Sequence, residues 1–387
     1  PSGENRVVDT ESAALCAAGH EVARFERCSD DIAGWSAARK ATLPVTAVWD
    51  RSARTDLSTV LARNRPDVVH VHNTFPLLSP SVLAACADAG VPAVVTFHNY
   101  RLACANGTFF RAGTGCHDCV GGFGLPALRH GCYRGSTLHT TPIVLGNALQ
   151  RRAWRTLPSA YVFISEAERR AMESLRFPPE RQFVKWNMVP APPLGPSTRS
   201  AQVVFLGRLD QVKGLPLLME AWDRFRSTLS REKLRLVIAG AGPMEGQVRA
   251  WAARHEDVDV AGLLDRDSCR ALALASTVAV IPSAWEETFG LVAVEAMSNG
   301  LAVVGANIGA LTELLDTGRF GALFTAGDAG ALAALLADIA AVPQRWRQMG
   351  REARRVYEER FDPSDNLDEL LGIYRFAVDN PVHRQPA

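Results

Sequence analysis

Two carboxylates, Glu287 and Glu295, stand with seven mostly apolar residues between them in 282-PSAWEETFGLVAVEAMSNG-300, bounded by a Pro-Ser turn and an Asn-Gly stop. With the stretch from Gly290 onward helical, the rise per residue separates them by up to roughly 12 Å along the axis. That is too far for two acids sharing one proton. It also exceeds the roughly 5–9.5 Å between the acid and base that cleave sugar linkages with water. The spacing suits two grips on one elongated ligand. The plainer alternative is a pair of solvated helix charges, and the surroundings decide between them.

Upstream, QVVFLG (202–207) runs into 207-GRLDQVKG-214, a turn that starts at Gly207 and delivers Arg208 and Lys213 to the top of a sheet before a helix begins. A guanidinium fork and a mobile ammonium together suit a diphosphate. The next strand-like run ends in 240-GAGPMEG-246. Its Gly240 and Gly242 permit backbone to approach a ligand closely, although glycine-rich turns after strands are commonly structural. Glu287, Thr288, Phe289, Gly290 and Leu291 then fall at a helix N-terminus, whose free amides and positive dipole end attract a diphosphate. Glu295, about two turns later, is placed to accept bonds from paired ribose hydroxyls. An elongated nucleotide sugar accounts for both acids, with sugar near Glu287, phosphates between, and ribose at Glu295.

The elements that must position these residues are short β-branched runs alternating with helix-length segments. The runs are VVHVHN (68–73), AVVTFHN (93–99), AYVFIS (160–165), QVVFLG (202–207), RLVIAG (235–240), VAVIPS (278–283) and AVVGAN (302–307). Such alternation predicts parallel sheets with helices on both faces. Four prolines in 190–196 mark a linker, so the chain divides into two doubly wound domains, 1–190 and 200–360, followed by an amphipathic helix over 365–380. Ligands of open α/β sheets sit beyond the carboxyl ends of the strands, which singles out His98 and Asn99, Ser165 and Glu166, Gly207 and Arg208, Gly240 to Gly242, and Pro282 to Glu287.

A chain of 387 residues with 47% apolar and 21% charged content is a soluble globular protein of about two domains. No apolar run reaches the ~18–20 residues of a membrane span. The net charge of +1 is unevenly placed: residues 1–195 carry 21 basic against 16 acidic groups, and 101–155 alone hold seven arginines and one acid, Asp118. That segment suits a phosphate-bearing acceptor or an anionic membrane surface, or is an ordinary solvated face. The chain reaches a helix in 9-DTESAALCAAGHEV-22 before its first strand, so a further strand is expected to precede this sequence.

GRLDQVKG, GAGP and PSAWEETFGLVAVEAMSNG, in that order, resemble the retaining glycosyltransferases of family four, and the likeness extends over most of 65–315. The resemblance implies an α/β GT-B fold, two facing Rossmann-like doubly wound domains with an interdomain cleft. The acceptor side lies in 1–190 and the nucleotide-sugar donor side in 200–360, and a terminal helix in 361–387 packs back toward the first domain. It implies Arg208 and Lys213 on the donor diphosphate, Glu287 near the donor sugar and Glu295 on the ribose. His98 matches a family histidine that lines the sugar and reaction centre. Pro1 to Glu4, PSGE, looks like the remnant of the family's Gly-bearing loop, bringing Gly3 to donor or acceptor. The implied reaction carries a sugar from a nucleotide diphosphate, a UDP-sugar first and a GDP-sugar second, to a hydroxyl of a glycan, lipid-linked or small-molecule acceptor. It retains anomeric configuration and needs no catalytic metal, because fixed cations and amides stabilise the departing phosphate. No nucleic-acid partner is expected, and the location is cytoplasmic, with peripheral contact at the inner membrane surface as an option.

Four of the eight cysteines, Cys104, Cys116, Cys119 and Cys132, crowd one loop. The central C-x2-C has metal-ligand spacing, and a structural zinc, disulfides and free thiols all stay open. Two rival functions remain. A GT-B nucleotide-sugar 2-epimerase shares the donor, and a non-enzymatic two-domain sugar-binding protein shares the hinge but has no use for Arg208 and Lys213.

Overall fold

The computed structural model describes residues 3–190, 199–228, 233–315 and 318–382, so most of the proline-rich linker lies outside the described residues. The chain forms two compact units, one of residues 1–109, 116–188 and 364–387, the other of 110–115 and 189–363.

In the first unit, β1 (Val69–Val71), β2 (Ala93–Thr96), β5 (Ala160–Phe163) and β6 (Gln182–Val184) form one parallel sheet in the order β1-β2-β5-β6. A two-residue hairpin, β3 (Phe110–Arg111) with β4 (Thr114–Gly115), falls between β2 and β5 in sequence and belongs to the second unit. Every residue of β2 and β5 is buried, which is why they read as unbroken apolar runs and not as alternating ones. The helix Pro363–Asp379 belongs to this unit as well: Ile373 and Ala377 pack on Val94, Ala160 and Val162.

The second unit holds six parallel strands, β7 (Gln202–Leu206), β8 (Arg235–Ala239), β9 (Val258–Gly262), β10 (Val278–Ile281), β11 (Ala302–Ala306) and β12 (Gly321–Phe324). Their order, β9-β8-β7-β10-β11-β12, is the 3-2-1-4-5-6 order of a dinucleotide-type sheet, and its switch point lies between β7 and β10. Both faces are covered. The core runs from the strand valines through Trp222 and Phe225 to Leu332, Leu336 and Trp346, and the helices Leu215–Thr228 and Ala329–Ala341 pack on one another. No described helix is long and apolar enough to cross a membrane.

All seven runs expected to be strands are strands. The helix Gly3–Ala17 starts at Gly3, so this glycine opens a helix and is not part of a loop.

Candidate active site

Around the switch point, glycines let backbones cross. A Cβ on Gly240, whose φ is +143°, would lie 1.8 Å from the carbonyl oxygen of Gly207, and one on Gly242 would lie 2.3 Å from that of Leu209. Leu209 N–H donates to Ala241 O at 3.0 Å and Met244 N–H to Leu209 O at 2.9 Å, lacing the loop after β7 to the loop after β8. Protein backbone, with no ligand invoked, already accounts for glycine at 240 and 242. Gly214, at φ +74°, is pressed harder still: its Cβ would meet Pro282 O at 1.7 Å, and Ala284 N–H donates to Val212 O at 2.9 Å. The turn bearing Arg208 and Lys213 is therefore clamped onto the turn that follows β10.

That clamp brings Lys213 and Glu287 together. Lys213 Nζ donates to Glu287 Oε1 at 2.6 Å, and Ser283 Oγ donates to the same oxygen at 2.6 Å. The Glu287 side chain is 8% exposed and the Lys213 side chain 29%, so the carboxylate is held and the ammonium keeps a face to solvent. The Lys213 ammonium also lies 5.1 Å from the centroid of the Trp285 ring, within cation–π range. Arg208 is different. Its side chain is 68% exposed, and its ion pair among the described residues is a local one, Nε to Asp210 Oδ2 at 2.8 Å.

Gly290, at φ +88°, caps the helix Leu291–Ser298, and Glu295 is a half-buried residue of that helix. The backbone ahead of the cap is fixed by Ala310 N–H donating to Glu287 O at 2.9 Å. Thr288 is 6% exposed and Phe289 2%, with the Phe289 ring edge-on to Phe361 at 6.4 Å, so Phe289 offers a ligand only its backbone.

In the first unit, His98 follows β2 and joins an imidazole cluster. His72 Nδ1 lies 3.0 Å from His98 Nε2, with the rings stacked at 5.3 Å. His70 bridges Tyr374 Oη at 2.8 Å and Thr96 Oγ1 at 2.7 Å, and its ring lies 4.0 Å from that of His72. Beneath them, Glu11 and Lys185 form a buried pair, Nζ to Oε1 2.8 Å, with side chains 7% and 2% exposed. Burial lowers the pKa of all three imidazoles to about 3, helped by their mutual repulsion and by Lys185. They are neutral at pH 7. His72, His98, Asn99 and Arg101 line a cavity of about 70 Å³ in this unit.

Glu11, His70 and His72 form the one set of three metal-type ligand groups within 4.8 Å among the described residues. It is a poor cation site, since both nitrogens of His70 are engaged by hydroxyls and the Lys185 ammonium already neutralises the carboxylate. None of Cys104, Cys116, Cys119 and Cys132 is in a disulfide, and no three of them come within that same distance among the described residues. Cys119 and Cys132 pack on one small cluster around Ala105 and Ala127, while Cys104 Sγ turns to Asn106 Oδ1 at 3.0 Å. Burial raises the Cys119 thiol pKa, and the other three cysteines add to that rise.

The arginines of 101–155 are less free than their count suggests. Arg101 is set over the rings of Phe75 and Tyr133, and Arg151 and Arg155 donate to the carbonyls of Ser174 and Arg176. They lend no support to an anionic membrane surface.

Sequence reasoning passed over Glu11, His70, His72 and Lys185. His70 and His72 were visible in VVHVHN as alternate residues on one face of a strand. Glu11 and Lys185, 174 positions apart, left no local signal.

Residues 192–356 match the family described as glycosyl transferases group 1, and residues 2–187 match the glycosyl transferase 4-like domain. A D-inositol 3-phosphate glycosyltransferase of Gordonia bronchialis is 33% identical over 203 residues, 50% of this chain and 44% of that protein. A phosphatidyl-myo-inositol mannosyltransferase of Mycobacterium leprae is 34% identical over 178 residues, 44% of this chain and 46% of that one. The chain thus spans less than half the length of these relatives. Among solved structures, a sucrose-phosphate synthase of Thermosynechococcus elongatus superimposes with a TM-score of 0.65 at 17% identity, covering 97% of this chain and 93% of that one. Anabaena HepE in complex with UDP does so with a TM-score of 0.58 at 17% identity, covering 82% and 80%. These two likenesses show a shared fold.

Proposed function

The chain belongs to the glycosyl transferases group 1 and has the GT-B fold, and from that premise we propose that it moves a sugar from a nucleotide-diphosphate donor to an acceptor hydroxyl with retention. The observation that carries this reading is the cationic turn Arg208–Lys213, joined through Glu287 to the start of the helix Leu291–Ser298, at the switch point of a 3-2-1-4-5-6 sheet.

In the proposed step the bond between the anomeric carbon and the phosphate oxygen breaks, and charge grows on the leaving diphosphate. Lys213 and the amides ahead of Leu291 are held in place before that charge appears, which is the condition for electrostatic stabilisation, and the exposed Arg208 adds a cation that closes on the diphosphate when it binds. The acceptor oxygen joins the carbon on the face the phosphate leaves, and the departing phosphate takes the acceptor proton. Glu287, held by Ser283 and Lys213, orients the donor sugar through hydrogen bonds and forms no covalent bond. Glu295 accepts from the ribose, and His98 is assigned to the sugar through the family resemblance. The donor is a UDP-sugar in the first instance, in keeping with the UDP complex of HepE. A thermal-shift panel of UDP-, GDP-, ADP- and dTDP-sugars tests this. The true donor at about 100 times its dissociation constant should add about 2.7 kcal/mol of stability, and a panel with no response removes the donor reading.

The four cysteines are proposed to hold a structural zinc ion, whose thiolate bonds of about 2.3 Å would draw the sulfurs of this loop together. Protein purified without added metal should contain about one zinc per chain, lost when Cys116 and Cys119 become Ser. Metal-free protein with full activity and four titratable thiols in the loop rules the ion out.

A further inference from the structure

Glu11, His72 and His98 lie in a row. Glu11 Oε1 accepts from Lys185, but its second oxygen, Oε2, is buried without a hydrogen-bond partner. The nearest ring nitrogen is His72 Nε2, at 3.9 Å. On the far side of that ring, His72 Nδ1 faces His98 Nε2 at 3.0 Å. A carboxylate paired with an ammonium only accepts, and a neutral imidazole has one N–H and one lone pair. The polarity of the row follows. At 3.9 Å the two groups are not hydrogen-bonded, but the carboxylate charge favours the N–H of His72 at Nε2 over a lone pair there, His72 Nδ1 then carries the lone pair, and the hydrogen between the two rings belongs to His98 Nε2.

We infer that Glu11, anchored by Lys185, is a positioning residue that acts through His72 to hold His98 in its Nε2–H form, so that His98 Nδ1 is a hydrogen-bond acceptor. This deepens the reading of His98 as a residue that meets the sugar. It gives His98 the chemistry to receive a hydroxyl proton of the donor sugar in a hydrogen bond, and denies it the chemistry of an imidazolium donor. The same arrangement, a carboxylate fixing an imidazole so that its other nitrogen is available in one form, is a recurrent means of choosing a tautomer. Here it is extended by one ring. The alternative arrangement, with the proton on His98 Nδ1, requires His72 Nδ1–H to donate to His98 and turns the His72 Nε2 lone pair toward the unpartnered oxygen of Glu11.

The test is a long-range proton–nitrogen correlation spectrum of the full-length, 15N-labelled chain at pH 7.5. The nine histidines are sorted by the loss of signals in His72→Gln and His98→Gln. The expected pattern is a protonated Nε2 and an unprotonated Nδ1 on both His72 and His98. In Glu11→Gln the amide donates as well as accepts, so the His98 pattern should shift toward mixed tautomers, and Glu11→Asp should restore it in part. A wild-type His98 protonated at Nδ1, or an unchanged His98 pattern in folded Glu11→Gln, overturns the inference. Turnover separates this from the functional reading. With donor and acceptor in hand, Glu11→Gln should lower kcat about tenfold and leave KM within about twofold. The expected tautomers with no effect on turnover would leave the row intact and remove His98 from the reaction instead.

Discussion

Replacing Lys213 by Ala is expected to weaken nucleoside-diphosphate binding and to slow transfer by about 10- to 150-fold, the range for losing a hydrogen bond to a charged group. The structure refines what should accompany this. Glu287 Oε1 has two partners, Lys213 and Ser283, so Lys213→Ala leaves the carboxylate held by one hydroxyl and does not orphan it. Glu287→Gln should mainly lower turnover, with nucleoside-diphosphate binding nearly unchanged, because its ligand partner is the sugar. Glu295→Gln should weaken free nucleoside diphosphate and intact donor alike. Since Lys213 and Glu287 touch, their double variant should lose less than the sum of the single losses, whereas Lys213 with Glu295 should add. Isothermal titration beside initial rates decides. If Glu287→Gln and Glu295→Gln behave alike, the assignment of the two acids to different parts of the donor is wrong, and if folded Lys213→Ala binds and turns over as before, Lys213 is not part of the donor site.

The imidazole cluster should make the first unit acid-sensitive. His70, His72 and His98 titrate near 6.5 when exposed and at about 3 in the fold. The unfolded chain therefore binds more protons between those values. Their contribution is complete above about pH 6.5 and is lost as pH falls toward 3, by up to roughly 1.4 kcal/mol per pH unit for each ring. The groups around them act in opposite senses, since Lys185 opposes any added positive charge and so strengthens the effect, whereas Glu11 favours it and so weakens it. Glu168 runs the other way. Burial raises its pKa well above the usual carboxylate range, so its contribution is full at low pH and lost as pH rises. The histidine signal is thus best read by difference. Amide exchange of Ala93–Thr96 and Ala160–Phe163, corrected for intrinsic rate, should accelerate from pH 7.5 to 5.0, and the acceleration should shrink in a His72→Gln/His98→Gln variant. Equal protection at both pH values would mean that the rings are not buried and neutral.

What could be read from the residues alone depended on whether the signal was local. The central strands announce themselves because both faces are buried: AVVT and AYVF are apolar throughout. Five strands carry no such signal: β3 and β4 are a hairpin of two residues each, and β6, β9 and β12 are all sheet edges. β6 is half-exposed along its length and β9 alternates, while β12 opens on a glycine, so none shows a continuous β-branched run. The same rule governs the site. Arg208, Lys213 and Glu287 sit in compact motifs, but the contact between the last two spans 74 positions and is created by the close approach of Gly214 to Pro282. Gly240 and Gly242 looked like ligand glycines because a loop crossing and a ligand approach demand the same missing side chain.

The first unit is assembled from pieces made at opposite ends of translation. Its sheet is complete once Val184 has been synthesised, yet the apolar face of Val94, Ala160 and Val162 is covered by Ile373 and Ala377, and His70 finds Tyr374 only then. The second unit, all but its small hairpin, is encoded between the two pieces. At roughly 5–20 residues per second, the ribosome needs about 10–35 s to traverse that interval. For that time the nascent first unit displays an open greasy face while the second, later in sequence, has everything it needs to fold. Order of synthesis and order of completion are therefore reversed, and the first unit is the one that spends the interval as a client for chaperones.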